Sequence, residues 1–252
     1  MVITSKNNPL IKETASLKDK KGRKALGLFL VEGIKLTTEC IRSGLIVERV
    51  LLSENCPLSA QDLGISPEKI VRVKEDVFLA ISDEKTPQGV LCRVEIPKQN
   101  LCAPSESCLV LDGVADPGNM GAIIRTANAA GYKSIYLTPD CTDPYSPKSV
   151  RASMSGIFST KIYVASREEL LKNLQGVPVL VADMSGKNVF TYAPPPVFAL
   201  VIGNEANGVS EQMRSAAYDS VKIPMDSAQE SLNAAVAAGI LMYLLKRESL
   251  KV

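Results

Sequence analysis

Three polar loops in the second half of the chain carry residue types that could do chemistry, and each follows a short apolar run. The first reads Asp112-Gly113-Val114-Ala115-Asp116-Pro117-Gly118-Asn119-Met120-Gly121 and opens a helical pattern containing Arg125 and Asn128. Helical spacing brings Asn119, Arg125 and Asn128 near one end of that helix without putting all three on one face. Amides, carboxylates and a guanidinium at such a place could orient a polar ligand or meet a developing negative charge. A stretch this rich in Gly, Asp and Asn can equally be no more than a turn. The second loop is Gly203-Asn204-Glu205-Ala206-Asn207-Gly208-Val209-Ser210. Its glycines would let a ligand approach the backbone beside the Glu205 carboxylate; the plain alternative is a connector whose Ser210 caps the next helix. It is neither a phosphate-binding P-loop nor a dinucleotide G-x-G-x-x-G. The third runs Ile223-Pro224-Met225-Asp226-Ser227-Ala228-Gln229-Glu230-Ser231-Leu232-Asn233. Ser227 and Glu230 have capping-box spacing, which predicts a helix beginning just after Ser227. Ser231 and Asn233 would then lie in its first turns, where free N–H groups and the positive dipole end favour an oxygen-rich ligand. The small residues that follow, AAVAAG, would pack tightly whatever the function.

What is missing narrows the chemistry further. The 252 residues include no histidine, which removes Ser-His-Asp and Cys-His catalysis, imidazole acid–base work and histidine metal sites together. The six cysteines, at 40, 56, 92, 102, 108 and 141, form no C-x-x-C, so neither a four-cysteine zinc site nor a redox motif is expected, and no metal is assigned. Hydrophobic residues make up 46% and charged residues 22%, the balance of a soluble protein with a real core. The longest apolar run, Ala234 to Leu245, falls short of the roughly 18 residues a membrane span needs. The opening MVITSKNNPLIKE has no continuous apolar signal core, so a cytoplasmic location is expected. Net charge is +2, but residues 1–50 carry ten Lys/Arg against five Asp/Glu, leaving the remaining 202 residues at −3. Seven cations, Lys6, Lys12, Lys18, Lys20, Lys21, Arg23 and Lys24, fall within nineteen positions. Such a cluster is either a solvated helix face or a contact for a polyanion, most simply nucleic-acid phosphates.

The elements that must position these residues follow an α/β alternation. Leu10, Ile11 and Leu17 are spaced as on one amphipathic helix across 6–24. Strands are predicted over 27–31, 47–53, 71–73 and 89–94, with helices through Cys40 and near 76–81. This gives a small basic α/β domain over 1–95. A proline-bearing linker, IPKQNLCAPSE, occupies 96–106. Over 107–252 strands are expected at 108–111, 134–138, 161–164, 177–183, 197–203 and 221–223. Helices are expected at 119–130, 147–158, 167–174 and 230–247. Continuous apolar strands alternating with helices argue for a parallel sheet covered on both faces, and ligands in such sheets sit at the carboxyl ends of strands, where all three loops fall.

Taken together, DPGNMGAIIRTANAAG, LVIGNEANGVS and IPMDSAQESLNAAVAAG resemble the three ordered motifs of the SpoU/TrmH family of RNA ribose 2′-O-methyltransferases. The resemblance covers 107–247, and three motifs in order are far more specific than any one. VRASMSGIF at 150–158 resembles a further stretch of the family. ITSKNNPLIKETASLKDKKGRKALGLFLVEGIKL resembles the opening of its accessory substrate-binding domain. The resemblance implies a parallel-sheet α/β domain with a C-terminal trefoil knot, which local pattern could not reveal because knots are nearly excluded beforehand. It also implies a homodimer with the site at the subunit interface.

By the same resemblance, Asn119 and Arg125 form a first-motif catalytic pair, joined by Glu205, Ser231 and Asn233. S-adenosylmethionine, leaving as S-adenosylhomocysteine, would lie across Ala182, Asp183, Gly203, Asn204, Ile223, Pro224, Met225, Ser231 and Leu232. The basic segment would grip RNA. The family proposal makes Arg125 the base that accepts the 2′-OH proton; alternatively Arg125 clamps a phosphate or stabilises the nascent alkoxide, since a guanidinium normally only donates hydrogen bonds. By domain architecture 23S rRNA is the expected substrate, with tRNA as the alternative. A non-catalytic RNA-binding protein would need a broken motif, and a base-nitrogen methylase a different polar set; none of the five motif residues is missing.

Overall fold

The computed structural model describes residues 2–226 and 231–250. Along the chain the elements are β1 (Val2–Ile3), α1 (Pro9–Ser16), α2 (Lys20–Leu26), β2 (Leu28–Glu32), α3 (Ile34–Arg42) and β3 (Val47–Ser53). These are followed by α4 (Ala60–Leu63), a 3₁₀ turn (Pro67–Lys69), β4 (Ile70–Val73), α5 (Glu75–Ile81) and β5 (Val90–Glu95). Then come β6 (Cys108–Asp112), α6 (Pro117–Ala129), β7 (Ser134–Leu137), α7 (Pro147–Ser153), α8 (Gly156–Ser159), β8 (Lys161–Val164) and α9 (Arg167–Asn173). The chain continues through β9 (Val179–Asn188), β10 (Ala199–Gly203), α10 (Glu211–Ser215), β11 (Asp219–Lys222) and α11 (Ala234–Leu245). Two compact units separate: Met1–Lys98 with Asp143–Phe158, and Gln99–Thr142 with Ser159–Val252.

In the first unit five strands form one sheet in the order β1-β4-β3-β5-β2, parallel from β1 to β3 and antiparallel at β5. Ile11, Leu17, Leu51, Phe78 and Leu91 share its core. The basic segment predicted as one helix over 6–24 is two. Asn8 caps the first, with Pro9 at its first position, and α1 ends at Leu17. The break has a local cause: the Arg23 guanidinium donates to the Leu17 and Lys18 carbonyls at 2.8 and 2.7 Å, satisfying the end of α1. The segment Asp143–Phe158, predicted within the second domain, packs with this unit. Asp143 pairs with Arg23 at 2.7 Å, Tyr145 meets Phe29 with ring centroids 5.0 Å apart, and Arg151 bonds Asp83 and Glu84 at 2.8 and 3.0 Å.

The second unit is a six-stranded sheet in the order β11-β9-β10-β6-β7-β8, parallel throughout. Every residue of β6 is buried, as an apolar strand covered on both faces must be. Because β10 lies beside β6, the loops after residues 112 and 203 emerge side by side at one edge. Between β9 and β11 the register jumps: Ser220 pairs with Val181 and Val221 with Lys187, so 182–186 lack a register partner there. The last helix begins later than predicted. Ser227 and Glu230 lie outside the described residues, Ser231 and Leu232 are not helical, and Asn233 is the cap, its side chain accepting from the Ala235 and Val236 N–H groups at 2.9 and 3.2 Å. Among the described residues no helix is long and apolar enough to cross a membrane, and no cluster of three potential ligands could hold a metal. All six cysteines are free thiols.

Candidate active site

Helix α6 starts by rule. Asp116 accepts from the Asn119 N–H at 2.9 Å and Pro117 occupies the first helical position, where its missing N–H costs nothing. This places the Asn119 side chain at the carboxyl edge of the sheet. Its Nδ2 donates to Glu205 Oε1 at 2.9 Å, while its Oδ1 accepts from Asn233 Nδ2, also at 2.9 Å. Residues from three loops, 86 and 114 positions away from Asn119, thus form one directed chain, Asn233 to Asn119 to Glu205. The Glu205 carboxylate also accepts from the backbone N–H groups of Ala115 and Asp116 at 3.0 and 3.2 Å.

Partial burial alone would raise the Glu205 carboxyl, but the Asn119 amide and the surrounding backbone donors outweigh it and hold the group below its ordinary value of 4.5. Glu205 is therefore an anion at neutral pH and a weak proton acceptor. A carboxyl lowered in the folded state adds stability above its unfolded value, and this is lost as pH falls through the folded value. The difference in melting temperature between wild type and Glu205→Gln should accordingly be level from pH 7 down to about 5 and shrink in more acid solution. A melting series over pH 3–7 checks this, and a difference that grows toward acid would contradict it.

Arg125 lies six residues along α6 from Asn119, a rise of about 9 Å. It is exposed and has no hydrogen-bond or ion-pair partner among the described residues. Ser231 is exposed in the coil two residues before Asn233.

The nine residues expected to hold a cofactor divide. Ala182, Asp183, Ile223, Met225 and Leu232 line one apolar cleft of about 130 Å³, with Met184, Val221 and Leu241 among its other walls. The cleft opens where 182–186 leave the ladder. Its apolar walls and coil backbone suit a flat heteroaromatic ring bearing a polar tail. Pro224 and Ser231 are exposed and absent from that lining. Asn204 spends its side chain within the loop edge: Oδ1 accepts from Ala206 and Asn207 at 3.0 Å, and Nδ2 donates to the Gly113 carbonyl at 2.7 Å. Gly203 is required by its own loop. A Cβ there would sit 2.2 Å from the Gly208 carbonyl carbon, so the close approach is between backbones of the same turn.

The basic cluster also divides. Arg23 is 3% exposed and fully engaged by Leu17, Lys18 and Asp143. Lys18 reaches the Ala80 and Ser82 carbonyls at 3.2 and 2.5 Å. These two serve the fold, whereas Lys6, Lys12, Lys20, Lys21 and Lys24 are exposed.

Sequence reasoning missed the ion pairs beneath the loops. Asp112, its side chain wholly buried, accepts from Arg167 Nε at 2.7 Å and from the Ser210 N–H at 2.7 Å. Arg167 also reaches Asp140 at 2.7 Å. Asp183 pairs with Arg214, whose Nε donates to the Val209 carbonyl at 2.8 Å. Only the apolar run ending in an aspartate, CLVLD, hinted at any of this.

Comparison with known proteins places this geometry. Residues 106–243 match the SpoU rRNA Methylase family and 8–92 the MRM3-like substrate binding domain. The chain is 31% identical over 248 residues to the 23S rRNA (guanosine(2553)-2′-O)-methyltransferase RlmP of Bacillus subtilis strain 168, covering 97% of this chain and 98% of that protein. The structure of an AdoMet-bound rRNA methyltransferase from Sinorhizobium meliloti superposes with a TM-score of 0.90 at 31% identity, covering 100% of this chain and 99% of that one. The SpoU methyltransferase AviRb from Streptomyces viridochromogenes, in complex with AdoMet, gives 0.87 at 26% identity over 97% of this chain and 99% of its own.

Proposed function

This chain belongs to the SpoU rRNA methylase family, and we propose that it transfers the methyl group of S-adenosylmethionine to a ribose 2′-hydroxyl of RNA, with 23S rRNA as substrate. The observation that carries this reading is the Asn233–Asn119–Glu205 chain beside an apolar cleft, with an exposed Arg125, its side chain unpartnered among the described residues, on the same helix as Asn119. Several relatives are named as 23S rRNA 2′-O-methyltransferases, which supports the choice of substrate. Bound in the cleft, S-adenosylmethionine supplies an electrophilic methyl on a sulfonium.

Ala182, Asp183, Ile223, Met225 and Leu232 hold that cofactor, largely through apolar contact and coil backbone. Glu205 fixes the first loop by taking hydrogen bonds from Ala115, Asp116 and Asn119, and Asn233 fixes the far side of Asn119. With its proton affinity lowered, Glu205 orients rather than deprotonates. Arg125 donates to a substrate phosphate and to the oxyanion that forms as the 2′-OH loses its proton. The proton passes to solvent. The protein acts in the cytoplasm as a homodimer through its second unit. Val236 and Tyr243, exposed on the otherwise apolar α11, support such an interface. The C-terminal segment threads the trefoil knot that the family resemblance implies.

The test is transfer of labelled methyl to purified, unmodified rRNA and tRNA. Label recovered from rRNA as a 2′-O-methylnucleoside supports the reading; label in tRNA alone moves the substrate, and cofactor binding without label on either RNA rejects it. A second outcome concerns the basic segment. Each phosphate that a lysine neutralises on a flexible strand contributes about −0.7 to the slope of log affinity against log salt. Replacing Lys20, Lys21 and Lys24 together with alanine should therefore flatten that slope by up to about 2 and leave S-adenosylhomocysteine binding unchanged. An unchanged slope would show that these lysines do not meet the RNA.

A further inference from the structure

Arg167 stands on the first residue of α9, where the positive end of the helix dipole disfavours a cation. Asp112 is a carboxylate with no exposed side-chain surface, which is costly unless paired and fully hydrogen-bonded. Each charge answers the other: Arg167 Nε and Nη2 approach Asp112 Oδ1 at 2.7 Å, and Asp112 Oδ2 accepts the Ser210 N–H at 2.7 Å. The same guanidinium reaches Ser210 Oγ at 3.2 Å and Asp140, in the loop after β7, at 2.7 Å. One side chain thereby gathers the loops that follow β6, β7 and β10.

The loop carrying Glu205 has two roots. Asn204 is tied to Gly113 at 2.7 Å, and Ser210 is tied to Asp112, the residue preceding Gly113. With both roots held on consecutive residues, the Glu205 carboxylate is delivered to the Ala115 and Asp116 N–H groups and to Asn119. We infer that Arg167 is a positioning residue of the methyl-transfer site, acting through Asp112 and Ser210 to set Glu205 against Asn119. The cofactor cleft is lined by none of these residues, so the device governs the transfer step and not cofactor affinity. This role for Arg167 rests on the function proposed above.

Three variants test it: Arg167→Met, Arg167→Lys, and Lys172→Met as a control on the exposed face of the same helix. In each, S-adenosylhomocysteine affinity is measured by calorimetry, methyl transfer as a single-turnover rate, and the Asn119 side-chain amide by ¹⁵N NMR. Arg167→Met should lose about 10²-fold in rate, the scale of a misplaced reacting group, with affinity within about twofold of wild type and the Asn119 amide displaced. Arg167→Lys, which restores the charge without the planar fork, should recover part of the rate. Lys172→Met should match wild type. A rate within about threefold of wild type in Arg167→Met, or an unmoved Asn119 amide, overturns the inference. So does a fall in cofactor affinity in step with rate without rescue by lysine, since that describes general scaffolding. If wild type binds S-adenosylhomocysteine yet methylates no RNA, the proposed function fails by itself, and the Asn119 amide alone decides the role of Arg167.

Discussion

Arg125→Ala should abolish methyl transfer, with a loss of at least about 10³-fold, while S-adenosylhomocysteine binds as it does to wild type. The magnitude follows from where the guanidinium stands. Other arginines are engaged by neighbouring groups: Arg23 by two carbonyls and Asp143, Arg167 by Asp112 and Asp140, Arg214 by Asp183 and Val209. Arg125 is exposed and has no such partner among the described residues. Removing it breaks no internal bond, so the change should register in the reaction and not in the melting temperature. Removing one preorganised donor from a developing oxyanion costs about 10²–10³ in rate, and releasing the phosphate held by the same group adds to that. Single-turnover transfer beside calorimetric binding separates the two readouts. Near-normal turnover would defeat both the base and the clamp versions of its role. Arg125→Lys should recover little, because a point charge cannot reproduce a planar fork shared between two oxygens.

Gly203→Ala should be the most damaging single-methyl change in the site. The added Cβ would lie 2.2 Å from the Gly208 carbonyl carbon and 2.3 Å from the Val209 nitrogen, both backbone atoms that cannot rotate away. The turn closes by a reciprocal pair of backbone bonds between Asn204 and Gly208, each 2.9 Å, and opening it shifts Asn204 and Glu205 together. Overpacking of this kind costs about 1–3 kcal/mol of stability. The displaced carboxylate should lower turnover by about 10²-fold. Gly208→Ala is the internal comparison. Its φ of +69° strains any L side chain, but the nearest obstacle, Arg214 Nη2 at 3.1 Å, is the movable end of a long side chain. Thermal melts and transfer rates of the two variants should rank Gly203→Ala as the worse in both. The opposite ranking would show that the turn yields at 203.

Local patterns reach the strands more faithfully than the site. Val47–Ser53 and Lys161–Val164 are read from sequence with the bounds the structure has, because β-branched and apolar runs between polar turns leave few alternatives. Short elements such as α4 lie below any periodicity a sequence can display. Pattern misplaces the start of α11 because the Ser227–Glu230 spacing draws the helix forward, whereas the cap is Asn233, whose side chain accepts from the Ala235 and Val236 N–H groups. The polar residues of the three loops are visible as candidates. Their meeting is not, since Asn119 and Glu205 come together because β10 lies beside β6, and Asn233 joins them from the cap of α11, which packs against α6. Roles for them come from the family resemblance. The pairing of Asp112 with Arg167, 55 positions apart, has no local signal beyond the aspartate that closes the apolar run CLVLD. The cation cluster shows the opposite error: seven charges look alike in sequence, yet burial makes Arg23 a part of the fold.

The return of Asp143–Phe158 to the first unit changes what it means to cut this protein. The chain passes between the units three times, after residues 98, 142 and 158, and not once as a simple tandem would. A nick anywhere in 99–107 would leave the two units covalently joined through the other two passages. Removing the first 98 residues would leave Tyr145 without Phe29, Asp143 without Arg23, and Arg151 without Asp83 and Glu84. The first unit is therefore an interrupted module, built in part from sequence that lies between the first and second polar loops.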